Sequence, residues 1–308
     1  MKSEIRKDYI QDRYVIISPK RGKRPHDVER PEILNPKKDK TCVFCHAQVD
    51  KKKDLLTIGP KQRWHVKVIA NDFPAVSLDN PKAYGQQEVV IETPNHILEL
   101  EDLPHEHLVK ILEAYSTRTR EISKNKKIEY ILTFKNNGGR AGATLNHAHS
   151  QIFSTAFLPP HLLDKSQKSL AYKLERGTCV YCDIIKKEKE GPRYVWHDKN
   201  IIAFTPYASF HNYEIWIMPF RHLDNITELN KEERLSTARI LKKILRQIGH
   251  LHLPYNFYFH QIIHDEAQHF YIKVTPRGNV WAGVEIGSGL IINAVSPEQA
   301  AKYYQEGL

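Results

Sequence analysis

The sequence predicts an α+β protein built from one unit used twice, with antiparallel sheets and helices packed on them. Three observations carry this. At 308 residues the chain suits two domains of ordinary size or one duplicated fold. Its four cysteines fall into two Cys-x-x-Cys pairs, Cys42/Cys45 and Cys179/Cys182. Each pair is followed by the same succession: a strand ending in His, an amphipathic helix, then a strand bearing His.

The elements follow in order. Strands are expected near 13–18, 64–70, 87–93, 129–135 and 149–155, then near 193–197, 201–205, 214–218, 256–262 and 269–275, from short apolar and aromatic runs bounded by turn residues. Helical periodicity marks 104–124, where Leu108, Ile111, Leu112 and Tyr115 form the apolar stripe, and 231–249. A third helix is expected over 161–175, and a last one is capped by Ser296 with Pro297 at its first position. Strands before and after a single helix in each half give the α+β arrangement. Pro159-Pro160 marks the boundary, so the copies are 1–158 and 159–308.

Side by side, the copies share a register. Glu88-Val-Val-Ile-Glu-Thr-Pro-Asn-His96 matches Glu214-Ile-Trp-Ile-Met-Pro-Phe-Arg-His222, and Ile69 to Ala75 echoes Ile202 to Ala208. His147-Ala148-His149 falls opposite His269-Phe270-Tyr271. One Cys-x-x-Cys alone could be a redox pair, but two in a chain with no other cysteine point to metal, since tetrahedral zinc takes thiolates at this spacing and completes its shell with His. The ligand sets are Cys42, Cys45, His96 and His147, and Cys179, Cys182, His222 and His269. Any single histidine of the seventeen is more simply a packed or surface residue, but the repeated register favours the sets. His65, His211, His260 and His264 stay unassigned.

The chemistry concentrates between Asn136 and Gln151, in N-N-G-G-R-A-G-A-T-L-N-H-A-H-S-Q. His147, His149 and Gln151 stand two apart, so on a strand they share one face. Glycines just upstream let backbone N–H groups approach an anion. An imidazole beside such a loop suggests attack on phosphorus. Only the first copy has the second histidine; the other carries Tyr271.

Net charge is +10, which suits nucleic acid and polyanionic small molecules alike. Much of the lysine sits in short scattered runs, the pattern of solvated faces. The loop Ser18-Pro-Lys-Arg-Gly-Lys-Arg-Pro25 holds two arginines that could grip phosphates, or it is a basic surface turn. No apolar run is long enough to span a membrane, and Met1-Lys-Ser-Glu4 lacks the apolar core of a secretory signal, so a cytoplasmic chain is expected. A zinc-stabilised nucleic-acid-binding protein is the rival from another class. Neither Cys pair is followed by the short His-x(3–5)-His of a finger helix, and that reading leaves His149 and Gln151 without a role.

With these residues the sequence resembles the galactose-1-phosphate uridylyltransferase family of the histidine-triad superfamily, including its ADP-glucose phosphorylase-like members, from Tyr14 to the C-terminal Gly283-Val-Glu-Ile-Gly-Ser-Gly. The resemblance implies a duplicated histidine-triad-like fold, zinc on His147 and nucleophilic attack by His149, with Gln151 steadying the phosphoryl oxygens. It implies nucleotide contacts from Arg21, Arg24, Asn71, Asp72 and Asn136, a phosphate contact from Thr144 and hexose binding by Glu285. Where the family has His-Pro-His-Gly-Gln this chain has His-Ala-His-Ser-Gln, and Ile291 replaces a hexose-binding Gln; the first change is shared with ADP-glucose phosphorylase-like members.

The implied activity is transfer of a nucleoside monophosphate between a nucleotide sugar and a hexose 1-phosphate, as in a UDP-glucose:hexose-1-phosphate uridylyltransferase. The adenylyl counterpart, with phosphate as acceptor, is the alternative, and a hydrolase of the same superfamily is a third. A covalent nucleotidyl-histidine makes the kinetics ping-pong. Two zinc ions per chain, a homodimer, and no nucleic-acid or membrane partner complete the expectation.

Overall fold

The computed structural model describes residues 2–23 and 42–308; Arg24, expected at the nucleotide, lies outside them. The chain runs β1 (Glu4–Lys7), β2 (Tyr14–Ile17), α1 (His46–Val49), β3 (Asp54–Ile58), β4 (Val66–Ala70), β5 (Gly85–Ile91), α2 (His105–Ile122), β6 (Tyr130–Asn137) and β7 (His149–Thr155). It continues through α3 (Pro160–Arg176), α4 (Val180–Lys189), β8 (Tyr194–His197), β9 (Ile201–Phe204), β10 (Ile215–Pro219), α5 (Lys231–His250), β11 (Tyr255–His260), β12 (Tyr271–Pro276), α6 (Gly283–Ser288), β13 (Ile291–Asn293) and α7 (Pro297–Gly307). Every strand and helix expected from the sequence is present.

Ten strands form one sheet in the order β3-β4-β5-β7-β6-β11-β12-β10-β9-β8, every neighbouring pair antiparallel. The order is palindromic: the first five strands of the sheet mirror the last five. The two copies therefore share a single sheet, joined where β6 pairs with β11. At that seam Phe134 stands opposite Tyr258. Phe134 also pairs with Gln151, and Tyr258 pairs with Lys273, so the seam relates equivalent residues. A small second sheet, β1-β2-β13, ties the start of the described chain to its end, with β13 parallel to β2.

One face of the large sheet is covered by α2 and α5. Leu108, Ile111, Leu112 and Tyr115 of α2 pack with Val66, Val68, Val90, Ile131 and Ile152, while Ile240, Leu241, Ile244, Leu245 and Ile248 of α5 join Ala203, Ile215, Ile217 and Ile272 in the same apolar cluster. The apolar stripes are therefore the core faces, and truncating a wholly buried residue such as Ile244 costs about 2–5 kcal/mol. A capping box starts α5, where Asn230 accepts from the Glu233 N–H at 2.9 Å and Glu233 accepts from the Asn230 N–H at 2.8 Å. Ser296 accepts from the Gln299 N–H at the start of α7, as its position before Pro297 predicts.

The strand registers correct part of the sequence alignment. Gln151 pairs with Val89, and its counterpart Lys273 pairs with Trp216. Glu214 is thus the counterpart of Gln87, one residue away from the expected Glu88. Likewise Ile69, opposite Val89, corresponds to Phe204, opposite Trp216, and not to Ile202. Apolar runs match almost equally well after a small slip, and only hydrogen-bonded pairing fixes the frame.

Candidate active site

The triplet sits where β7 begins. His149 opens the strand opposite Ile91, and His147 stands just before it. Both are buried, at 8% and 1% exposure. The loop leading in needs its glycines. Gly138 and Gly142 have φ of 83° and 90°, and a Cβ on Gly138 would stand 2.8 Å from Pro254. The loop differs from expectation in one respect. The N–H groups of Ala141, Gly142 and Ala143 donate to the carbonyls of Gly138 and Gly139, closing the turn on itself. Those three amides are therefore committed to the loop and not presented to an anion.

Both predicted ligand sets come together. Cys42, Cys45, His96 and His147 form one cluster and Cys179, Cys182, His222 and His269 the other, with ligand atoms in each within 4.8 Å of one another. Sulfur lies 3.6 and 3.8 Å from His147 Nδ1 (Cys42 and Cys45) and 3.5 Å from His96 Nδ1 (Cys45). In the second set, Cys182 Sγ lies 3.6 and 3.7 Å from Nδ1 of His222 and His269. Metal bonds of about 2.3 Å to sulfur and about 2.0 Å to nitrogen give a tetrahedral S···N edge of roughly 3.5 Å, so the spacing fits zinc. The imidazole tautomers fit as well. His147 Nε2 is 2.7 Å from the Thr93 carbonyl, His269 Nε2 2.9 Å from Pro219, and His222 Nε2 3.1 Å from Glu266. A carbonyl only accepts, so Nε2 carries the proton and Nδ1 keeps its lone pair for the metal.

The same logic reverses the tautomer of His149. Its Nδ1 donates to the His147 carbonyl at 2.7 Å, which leaves the lone pair on Nε2. Burial, then the nearby Lys135 ammonium, hold His149 below the ordinary imidazole range, so the ring is neutral at neutral pH. Phe44 packs on it with ring centres 5.2 Å apart. A cavity of about 210 Å³ is lined by Asn136, Asn146, His147 and His149 from the first copy and by His252 and Tyr255 from the second. An open cavity of about 400 Å³ at Lys189, His197 and Phe220 contains none of the predicted site residues.

The other predicted residues divide. Asn71 Nδ2 is 3.4 Å from Gln151 Oε1, and Asn136 lines the cavity. Asp72 is exposed and paired with Lys52. Thr144 is exposed on the glycine loop, and Arg21 is exposed on the 3-10 turn Pro19–Lys23 that follows β2. Glu285 caps α6, accepting from the Ala282 N–H at 2.9 Å, and is not among the cavity's lining residues. Ile291 is buried against Val15 and Ile17, which removes it from contact with any sugar.

Three participants escaped sequence reasoning. Asn256 of the second copy donates to Asn136 Oδ1 and to the Ala141 carbonyl, both at 2.7 Å, and stitches the loop in place. Lys135 donates to the His149 carbonyl at 3.3 Å. Gln87 donates to Gln151 Oε1 at 2.7 Å. The first and last act across strands far apart in sequence, where a linear pattern carries no signal.

In the second copy the corresponding site is filled. Tyr271 is stacked between Trp216 and His260, at 4.4 and 4.5 Å, and its hydroxyl accepts from Lys165 at 2.7 Å. At this position only the first copy carries an imidazole.

Comparison with known proteins agrees with this assembly. Residues 61–159 match the family model for the N-terminal domain of galactose-1-phosphate uridyl transferase. The ADP-glucose phosphorylase of Arabidopsis thaliana is 31% identical over 98% of this chain and 92% of its own length. The galactose-1-phosphate uridylyltransferase of Thermotoga maritima is 29% identical over 98% of each chain. The crystal structure of the Arabidopsis ADP-glucose phosphorylase with bound ADP-glucose superposes with a TM-score of 0.88, at 29% identity over 99% of both chains. With nearly full-length similarity of sequence and fold, the chain belongs to the galactose-1-phosphate uridylyltransferase family and is a nucleotidyltransferase.

Proposed function

We propose that the protein transfers a nucleoside monophosphate from a nucleotide sugar to a hexose 1-phosphate through a nucleotidyl-His149 intermediate, as a UDP-glucose:hexose-1-phosphate uridylyltransferase does. The observation that carries this is the His149 Nδ1–H bond to the His147 carbonyl, which keeps Nε2 unprotonated in a dry site. Nε2 attacks the α-phosphorus, and a nitrogen–phosphorus bond forms as the bond to the sugar 1-phosphate breaks. The electron pair leaves on the phosphate oxygen, whose second pKa of about 6 makes it a competent leaving group. An acceptor phosphate oxygen then attacks the same phosphorus and frees Nε2. Gln151 donates to a nonbridging oxygen as charge builds there. Nucleotide contacts from Arg21, Arg24, Asn71, Asp72 and Asn136, a phosphate contact from Thr144, and hexose binding by Glu285 belong to the same reading.

An adenylyl version, with inorganic phosphate as acceptor and ADP-glucose as donor, is the second reading. The 31% identity to ADP-glucose phosphorylase favours it, alongside 29% to the uridylyltransferase. Incubation with UDP-glucose and with ADP-glucose, each with phosphate or galactose 1-phosphate, separates the two by which pair turns over. Hydrolysis without acceptor overturns both.

Two zinc ions per chain belong to the proposal, on the ligand sets described. When bound, each would act structurally, since four protein ligands leave no open position, and the first would brace the triplet. The copies 1–158 and 159–308 are proposed as the two structural units, only the first catalytic. A homodimer is supported by exposed apolar residues on and beside α6, with Val280 and Ile286 at 72% and 76% exposure; sedimentation tests it. A cytoplasmic location belongs to the same reading, since both Cys-x-x-Cys pairs are proposed as reduced zinc ligands and not as disulfides.

A further inference from the structure

We infer that Gln87 is a positioning residue for the transfer, acting through Gln151 by fixing which end of its amide faces the phosphoryl group. The inference rests on the nucleotidyl-transfer reading above. A carboxamide has a donating end and an accepting end of nearly equal size, so only its partners decide which points where. Gln151 Oε1 receives two donors: Gln87 Nε2 at 2.7 Å and Asn71 Nδ2 at 3.4 Å.

Those donors are themselves fixed. The Ala75 N–H donates to Gln87 Oε1 at 2.9 Å, and the Phe73 N–H donates to Asn71 Oδ1 at 2.8 Å. A backbone N–H cannot accept, so both oxygens are committed to the 71–75 turn and both NH₂ groups face Gln151. The Gln151 oxygen is thereby occupied, and its own NH₂ is directed elsewhere. Phosphoryl oxygens only accept, so this is the orientation that nucleotide transfer needs; the reverse sets oxygen against oxygen. The shorter bond makes Gln87 the stronger of the two constraints.

The second copy supplies the contrast. Glu214 and Lys273 stand where Gln87 and Gln151 stand, and they form an ion pair at 2.7 Å. The amide chain occurs only beside the nucleophile.

The test is the single-turnover release of sugar 1-phosphate from UDP-glucose or ADP-glucose, whichever the wild type cleaves. Gln87→Met removes the donor, and Gln87→Glu replaces it with an acceptor that turns the Gln151 amide round. We expect release at saturating substrate to slow about tenfold for Met and about 100-fold for Glu, the scale of losing one donor to a developing oxyanion. A packing role gives the opposite order, because Glu is the closer match in shape and keeps the bond to Ala75. In a Gln151→Ala background, Gln87→Glu should cost nothing further. Binding of UDP and ADP by calorimetry, which needs no turnover, should weaken in the same order of variants. Equal behaviour of Glu and wild type in both assays, or an undiminished loss in the Gln151→Ala background, overturns the inference. A wild type that binds UDP or ADP yet releases no sugar 1-phosphate sinks the transfer reading, while the order of affinities still decides the role of Gln87.

Discussion

Lys135 Nζ and Glu92 Oε2 lie 2.7 Å apart with side chains 1% and 0% exposed, and the same ammonium reaches the His149 carbonyl. Lys135 on β6 thereby connects the His149 carbonyl at the start of β7 to Glu92, which follows β5 on the way to His96. Glu92 also accepts from the Tyr115 hydroxyl at 2.9 Å, so α2 is tied into the network.

Removing one partner strands the other. Burial alone would lower the Lys135 pKa, but Glu92 and Glu99 raise it above the ordinary lysine value, so Lys135 stays charged at neutral pH. Lys135→Met should therefore cost about 3–5 kcal/mol in urea unfolding, the loss expected for an orphaned buried charge. A loss below about 1 kcal/mol, the value of an exposed pair, contradicts the buried network.

Separating the two histidines of the triplet tests the site. His149→Ala should abolish both the burst of sugar 1-phosphate and the nucleoside-monophosphate mass adduct while retaining metal at both clusters. His147→Ala should lose metal from the first cluster. Tyr271→Phe should leave the burst intact but cost about 1–3 kcal/mol, because it deprives the buried Lys165 ammonium of its acceptor. An adduct surviving in His149→Ala means the two roles are exchanged.

Lys165 also predicts a pH dependence. Burial pushes it from the ordinary lysine value of 10.5 to about 8. Below pH 8 it is protonated folded and unfolded, and the full penalty of burying the charge applies. Between about 8 and 10.5 the unfolded chain binds more protons, so the penalty fades as pH rises. Lys165→Met should therefore be more stable than wild type at neutral pH, and the gap should narrow by about 3 kcal/mol on reaching pH 10.5. A gap independent of pH would falsify the assignment.

Metal loss should be ordered. His222 of the second cluster is exposed, whereas in the first cluster Cys42 and His147 are only 5% and 1% exposed. A chelator should strip zinc in two phases, the fast one from the second cluster. Cys182→Ala should remove the fast phase alone, and adduct formation should decline only with the slow one. A single phase, or early loss of the adduct, rejects this order.

Much of this was legible in the chain. Strand β7 is found over the residues expected, and both ligand sets assemble, because the Cys-x-x-Cys pairs and the histidine register repeated in the two copies mark them in the linear sequence. What escaped depends on distant partners. Strand β3 follows the run Lys51-Lys52-Lys53 and is half-exposed, so its apolar signal is weak. Helix α4 was hidden behind the metal motif that caps it at Cys179, and α6 behind its glycines. Gln87 looks like any polar strand residue until the β5–β7 register sets it diagonally across from Gln151.

The seam between β6 and β11 has a consequence for synthesis. A nascent chain that has emerged only through the first copy holds β6 with an uncovered rim of peptide groups, and that rim stays unsatisfied until Tyr255–His260 arrives more than a hundred residues later. Open rims recruit whatever strand is nearest, including those of neighbouring nascent chains. Translation that halts between the copies should thus yield aggregate and not a working half-enzyme, even though His149 and Gln151 have already been made.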